Sequence, residues 1–571
     1  MAVIFLAIAA AAAYLAAYHS YGKFLAGKIF KLDDALSPPS ITQRDDIDYV
    51  PTKKGVIFGH HFTSIAGTGP IVGPAIGIIW GWVPALLWVL LGSILMGAVH
   101  DLGSLVISLR NRGKSISEVT ARYLSPRVRL IFFVIIFFEL LIVIAIFGLV
   151  IAVIFNMFPQ SVFPVWMEIP IALVIGWAIA RRGANILLST ALAVMVMYIT
   201  VALGHYLPFT MPALGGLPAT GVWTVILLVY AFIASTLPVT TLLQPRDYIN
   251  AWQLFIAMGL MVLGVLAAGF SGSLTLVAPA YNFQPEGAPP IFPFLFITIA
   301  CGAVSGFHSL VASGTSSKQV AREKDALFVG YGSMLLESAL AVLVIIAVAA
   351  GIGIAYSAAD GTLLTGKAAW NAHYISWAAS SGLGSKVNAM VIGSANMIAH
   401  LGIPKHLAVI IIGVFVASFA GTTLDSATRI QRYVISELFT GTRADFLSGK
   451  YAATLFAVFT AAALAFITGA SGKGALKLWP LFGAVNQLLA ALALIVITVY
   501  LRLKGGRKYL FTALPATFML IVTIWSVLLN QFRFMSAGNW LLSIINLLIL
   551  ALSIWMTGES LLVMRKKNLR R

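Results

Sequence analysis

Apolar runs of about 16 to 31 residues alternate with short polar links along the whole chain, and helices of that length cross a hydrocarbon core of about 30 Å. About fifteen such spans are predicted, at 2–18, 58–81, 83–108, 130–155, 165–180, 185–207, 222–243, 251–277, 291–313, 326–356, 406–426, 451–467, 476–501, 509–529 and 539–564. Within 58–81 the middle reads Ser64-Ile65-Ala66-Gly67-Thr68-Gly69-Pro70, which cannot stay continuously helical. Backbone groups freed inside hydrocarbon cost several kcal/mol each, so such a break persists where it lines a site. Two half-helices meeting at mid-membrane are a common binding device of secondary transporters.

Five spans, 58–207, precede a Pro- and Gly-rich link at 208–221, and five more occupy 222–426. An odd-numbered unit repeated in tandem enters the membrane in opposite senses, so the two sets read as an inverted pair. An N-terminal helix and loop, 1–57, precede them and four helices, 451–571, follow. The pairing predicts a second break in 222–243, at Ser235-Thr236-Leu237-Pro238-Val239-Thr240-Thr241. The first helix reads as retained in the membrane and not as a cleaved leader.

Composition agrees: 60% of the 571 residues are hydrophobic and 10% charged, as in a polytopic membrane protein. A net charge of +18 raises the question of a nucleic-acid partner. Its placement answers it. With the N-terminus outside and the C-terminus cytoplasmic, all 37 Lys and Arg residues fall on the cytoplasmic side except Lys367, Lys386, Lys405, Lys473, Lys477 and Arg533. That is the positive-inside bias. Residues 387–401 then read as external or re-entrant, since another full crossing would turn Arg429 and Lys450 outward. The single cysteine, Cys301, excludes an intramolecular disulfide and a cysteine metal cluster.

Candidate chemistry gathers around the breaks. His60, Ser64 and Gly67 share one helical face, with Thr68 beside them, and His61 points about 100° away. Pro70 suits the first turn of the next half-helix, whose amides around Gly69, Ile71 and Val72 suit a substrate carboxylate. Ser235, Thr236 and Thr240 would close the site from the second break. The stripe holding His308, Ser313, Thr315 and Ser316 offers oxygen ligands for sodium at the last three. Asp101, Glu139 and Glu337 lie deep in apolar runs and, with His61 and His308, are candidates for proton coupling. Asp425 and Arg429, four apart, are expected to pair on one helix face. No Walker A sequence or metalloprotease pattern occurs, and no cofactor beyond H+ or Na+ is expected. The competing class is a membrane sensor, or an intramembrane enzyme using His60, His61, His100 and Asp101, which would lack gradient-driven uptake.

Three motifs carry a resemblance: the run from Phe58 to Pro74, Ser305-Gly306-Phe307-His308 with Ser313-Gly314-Thr315, and Gly421-Thr422-Thr423-Leu424-Asp425-Ser426. They are similar to those of the carbon starvation protein A family. That resemblance implies an all-helical inner-membrane symporter for peptides or pyruvate with a LeuT-like five-plus-five core. It suggests proton coupling from pyruvate-transporting relatives and sodium coupling from the wider superfamily. The substrate would be a small anionic or zwitterionic molecule.

Overall fold

A computed structural model describes residues 1–358 and 361–565. Four expected tail cations, Lys566, Lys567, Arg570 and Arg571, lie outside the described residues. Among the described residues the fold is helical apart from connecting loops and one two-stranded hairpin, in which Tyr356–Ser357 pairs with Leu363–Leu364. Among the described residues twelve helices are long and apolar enough to cross a membrane, or thirteen with one bent pair counted as a crossing. The count of fifteen is not reached, because Lys450–Phe466 has only 17 residues and the run 291–313 divides in two.

The helices that build the site are α1 (Lys54–Ile65), α2 (Gly69–Gly77), α3 (Ala98–Arg110), α4 (Pro126–Met157), α5 (Val162–Arg182), α6 (Ile186–Gly204), α7 (Ala219–Thr236) and α8 (Leu243–Phe270). They continue with α9 (Ile291–Thr298), α10 (Gly306–Gly314), α11 (Ser333–Ala349), α12 (Leu383–Ala399), α13 (Lys405–Phe439), α14 (Trp479–Leu503) and α15 (Leu510–Ser536). Local chemistry sets their ends. Ser125 accepts from the Val128 amide and Pro126 opens the first turn of α4. Gly183, at φ +61°, ends α5, and the Asn185 side chain caps α6 two residues later. Large apolar side chains such as Leu187, Leu188 and Leu192 stand exposed on α6, a surface suited to lipid. By contrast α14 is buried throughout residues 484–501.

The first break is where the glycines and proline require it: α1 ends at Ile65, α2 starts at Gly69, and the pair bends by 45°. The second is elsewhere than expected. Helix α7 runs unbroken to Thr236, and residues 237–242 form the turn into α8. Leu237, extended at ψ 153° ahead of Pro238, ends α7 after 18 residues, about 27 Å and so close to a whole crossing. The second interruption lies at 299–305, between the eight residues of α9 and the nine of α10. Gly302 takes φ +88° there. Residues 387–401 belong mostly to α12, which packs against α2, α8, α11 and α13.

Candidate functional site

The two interruptions touch. A side chain at Gly69 would collide with Cys301 Cβ, and one at Gly73 would meet the Thr298 carbonyl at 2.7 Å, so glycine is required by the closeness of the second break to the first. Each break draws hydrogen bonds from a distant helix. At the first, Thr422 Oγ1 and Thr423 Oγ1 on α13 donate to the carbonyls of Thr63 and Ser64, each at 3.3 Å, and Ser426 Oγ meets Ser64 Oγ at 2.9 Å. At the second, Asn486 Oδ1 on α14 accepts from the Phe307 amide at 3.0 Å and from Ser305 Oγ at 3.1 Å. Gln487 Nε2 donates to the Phe296 and Val304 carbonyls at 3.2 and 3.1 Å. Backbone that leaves the helix inside a membrane is thus satisfied by side chains.

A chain of buried titratable groups runs into the second break. His100 Nδ1 and His308 Nδ1 lie 2.8 and 2.9 Å from the two oxygens of Asp101. His308 Nε2 lies 3.2 Å from Glu337 Oε2, out of hydrogen-bond alignment, and Glu337 Oε1 accepts from the Gly302 amide at 3.2 Å. All four side chains are fully buried. A carboxylate accepts from each Nδ1–H, so His308 Nε2 either accepts or carries a second proton facing Glu337. Cys301, His308 and Glu337 offer ligand atoms within 4.8 Å of one another and, among the described residues, are the group that could hold a metal ion.

A second buried cluster joins α1, α5, α7, α8 and α13. His60 Nδ1 lies 2.6 Å from Asp247 Oδ2, Tyr230 donates to Asp425 at 3.0 Å, and Arg246 contacts Asp425 and, at 3.5 Å, Glu168. Buried charges persist where they are paired in this way.

Between the breaks and α12, α14 and α15 lies a cavity of about 310 Å³. Gly69, Val72 and Gly73 form one wall, Cys301 lies at another, and Phe294, Trp377 and Trp479 add aromatic surface. Lys386 and Arg533 bring two cations. Lys386 Nζ sits 5.3 Å from the Trp479 ring and the Arg533 guanidinium 5.5 Å from the Phe294 ring. Among the described residues no carboxylate pairs with either. Cys301 therefore faces the cavity and also the Glu337–His308 pair.

Of the residues expected to bind substrate, Gly69 and Val72 line the cavity. Ile71 does not, and the Ile71 and Val72 amides already donate to the Thr68 carbonyl at 3.2 and 2.8 Å because Thr68 has helical backbone geometry. Gly67 packs against Thr423 and Phe147, Ser64 binds α13, and His60 turns to Asp247. Ser235 and Thr236 donate to the Phe232 and Ile233 carbonyls of their own helix, and Thr240 lies beside Gly176. These three do not meet residues 64–72.

The coupling candidates also divide. Asp101, His308 and Glu337 come together, whereas Glu139 is buried with neither carboxylate oxygen hydrogen-bonded. His61 Nδ1 meets Ser316 Oγ at 2.8 Å. Of the three hydroxyls expected to hold sodium, Ser313 and Thr315 donate to the Ser309 and Val311 carbonyls at 2.7 and 3.1 Å, and Ser316 is the one that meets His61. The α13 hydroxyls that face the first break belong to Thr422, Thr423 and Ser426. Asp425 and Arg429 do not pair either, because Arg246 holds Asp425 and Asp48 holds Arg429. Asn486, Gln487, Asp247, Lys386 and Arg533 escape sequence reasoning. An Asn-Gln pair inside an apolar span was the one available signal.

The sequence profile of the carbon starvation protein CstA family matches residues 2–526. Peptide transporter CstA of Helicobacter pylori is 34% identical over 574 residues, covering 92% of this chain and 82% of its own. Pyruvate/proton symporter BtsT of Escherichia coli is 33% identical, covering 93% of this chain and 82% of its own. Among solved structures, the manganese transporter of Eremococcus coleocola in complex with an aromatic bis-isothiourea substituted compound superimposes with a TM-score of 0.50 at 11% identity. That alignment covers 91% of this chain and 99% of the transporter, and the likeness is one of fold.

Proposed function

The chain belongs to the carbon starvation protein CstA family, and we propose that it is a secondary symporter for a small carboxylate, a peptide or pyruvate, driven by protons. The observation that carries this reading is the cavity between two interrupted helices with two cations that no described carboxylate neutralises. Its volume of about 310 Å³ is at the small end of ligand pockets. The substrate carboxylate would meet Lys386 or Arg533, with Gly69 and Val72 at its side. Relatives named as a peptide transporter and as a pyruvate/proton symporter support both solutes.

The position of Cys301, between the cavity and the Glu337–His308 pair, supports the proton reading. Glu337 Oε1 holds the Gly302 amide inside the second break. A proton on that carboxyl weakens a charge-assisted bond and loosens the backbone there, so protonation and substrate occupancy act on one hinge. Sodium is the second reading, favoured by the hydroxyls of Thr422, Thr423 and Ser426 at the carbonyl end of α1. Two inverted units of a LeuT-like core would rock about this site. The second unit, read from the sequence as 222–426, is proposed instead to open at Ile291. The face carrying most Lys and Arg would be cytoplasmic, in the inner membrane, with the N-terminus outside and the C-terminus inside.

The test is uptake of labelled pyruvate and a labelled dipeptide into liposomes holding the purified chain, under an imposed proton or sodium gradient. Accumulation under the proton gradient is expected. Accumulation under sodium alone transfers coupling to the α13 hydroxyls, and none under either gradient overturns the symporter reading.

A further inference from the structure

A second and larger cavity, about 690 Å³, lies away from the breaks. Six cations line it: Lys31, Arg110, Arg112, Arg122, Lys504 and Lys508. Only two carboxylates face them, Asp33 and Glu323, and Glu323 is taken up by Arg110 Nε at 3.0 Å. Arg122 donates to the neutral Asn111 Oδ1 at 3.0 Å, and Lys504 Nζ lies 5.6 Å from the Tyr500 ring. Desolvation and the facing Lys31 ammonium push the Lys508 ammonium below the usual lysine range. Like charges gathered around a hollow destabilise the fold unless something answers them.

The backbone at this wall is set by helix ends. Among the described non-glycine residues only Lys31, Asp46 and Arg112 have left-handed φ, and the two that line this cavity, at φ 52° and 61°, each follow the end of a helical segment, 25–30 and α3. The Lys31 carbonyl is fixed by Arg110 Nη2 at 3.0 Å, so its unusual backbone is held by the same arginine that shapes the wall.

We propose that this cavity binds a phosphate-bearing anion at the cation-rich face of the protein. A phosphate offers several acceptor oxygens to ammoniums and guanidiniums at once, and basic pockets between membrane helices suit phosphate headgroups. The anion is either a phospholipid headgroup or a soluble phosphate compound, and the chemistry on the protein is the same. This site does not depend on which solute crosses at the breaks.

The test uses the full chain purified in detergent, with inorganic pyrophosphate titrated calorimetrically and cardiolipin retention followed by native mass spectrometry. Saturable binding of at least one probe is expected. Pyrophosphate alone identifies a soluble ligand, cardiolipin alone a lipid, and both a site open to either. The double variant Lys31→Gly with Lys508→Ala should weaken binding at least tenfold, while Arg443→Ala with Lys450→Ala, cations outside the cavity, should leave it unchanged. Lys31→Gly relieves the left-handed backbone, so its melting temperature should hold or rise, separating lost binding from lost folding. Binding of neither probe, or equal affinity in both double variants, overturns the proposal.

Discussion

The two faces of the interrupted helices are built on opposite principles. On one, Lys386 and Arg533 stand in an open cavity with no described carboxylate to answer them. On the other, the segment before α1 is strapped down. Asp48 pairs with Arg429 at 3.1 Å and Arg432 at 3.4 Å, and Arg429 also reaches the Ala234 and Leu237 carbonyls. The Val50 and Thr52 amides donate to the Lys318 and Gln319 carbonyls at 3.1 and 2.9 Å. On the proposed transport reading, the unanswered cations Lys386 and Arg533 mark the side that receives solute and the paired charges around Asp48 the side that is shut, so alternation would require the Asp48 network to break.

The largest effect should come from closing the open side. Gly69→Leu, driven into Cys301, should reduce pyruvate and dipeptide uptake to background while surface labelling finds the protein inserted; normal transport would detach α2 from the site. Next, Glu337→Gln should lower gradient-driven accumulation by about a hundredfold yet leave solute exchange between equal pools running. Loss of exchange as well would make Glu337 structural. Lys386→Met removes one cation from the cavity and should raise KM about tenfold to a hundredfold, matching about 1.5–3 kcal/mol for a hydrogen bond to a charged group, with kcat retained. An unchanged KM leaves Arg533 as the carboxylate contact.

The smallest effect tests the shut side. Asp48→Asn should speed hydrogen exchange at Val50 and Thr52 several-fold without changing KM. Burial alone would raise the Asp48 carboxyl, but Arg429, Arg432 and Lys318 together hold it below the usual carboxylate range. Its folded value being lowered, the contribution to the seal is complete above the ordinary carboxylate value near 4 and disappears as pH falls through the lower folded value. Wild-type exchange at these amides should therefore be flat from pH 7 to about 5 after correction for intrinsic rates, and rise only in stronger acid.

The first break was legible because Gly67, Gly69 and Pro70 sit in the middle of a run about as long as the membrane is thick. Pro238 misled because a proline shows where a helix must stop, not how far into the membrane the stop lies. Counting back from it to Ala219 gives a full crossing, whereas counting back from Gly302 to Ile291 gives about half of one. The helical spans themselves follow from apolar length alone. What could not be read was pairing across long separations: nothing local tells Asp425 to choose Arg246 over Arg429, or Glu337 to reach the Gly302 amide.

Gln487 donates to the Phe296 carbonyl on α9 and to the Val304 carbonyl within the second break. One side chain thus splints the end of α9 to the chain that leads into α10. Thr422 and Thr423 grip only the leading fragment of the first break. The trailing fragment α2 is held instead by its packing against α9, α11 and α12 and by the Tyr374 hydroxyl on the Ala75 carbonyl.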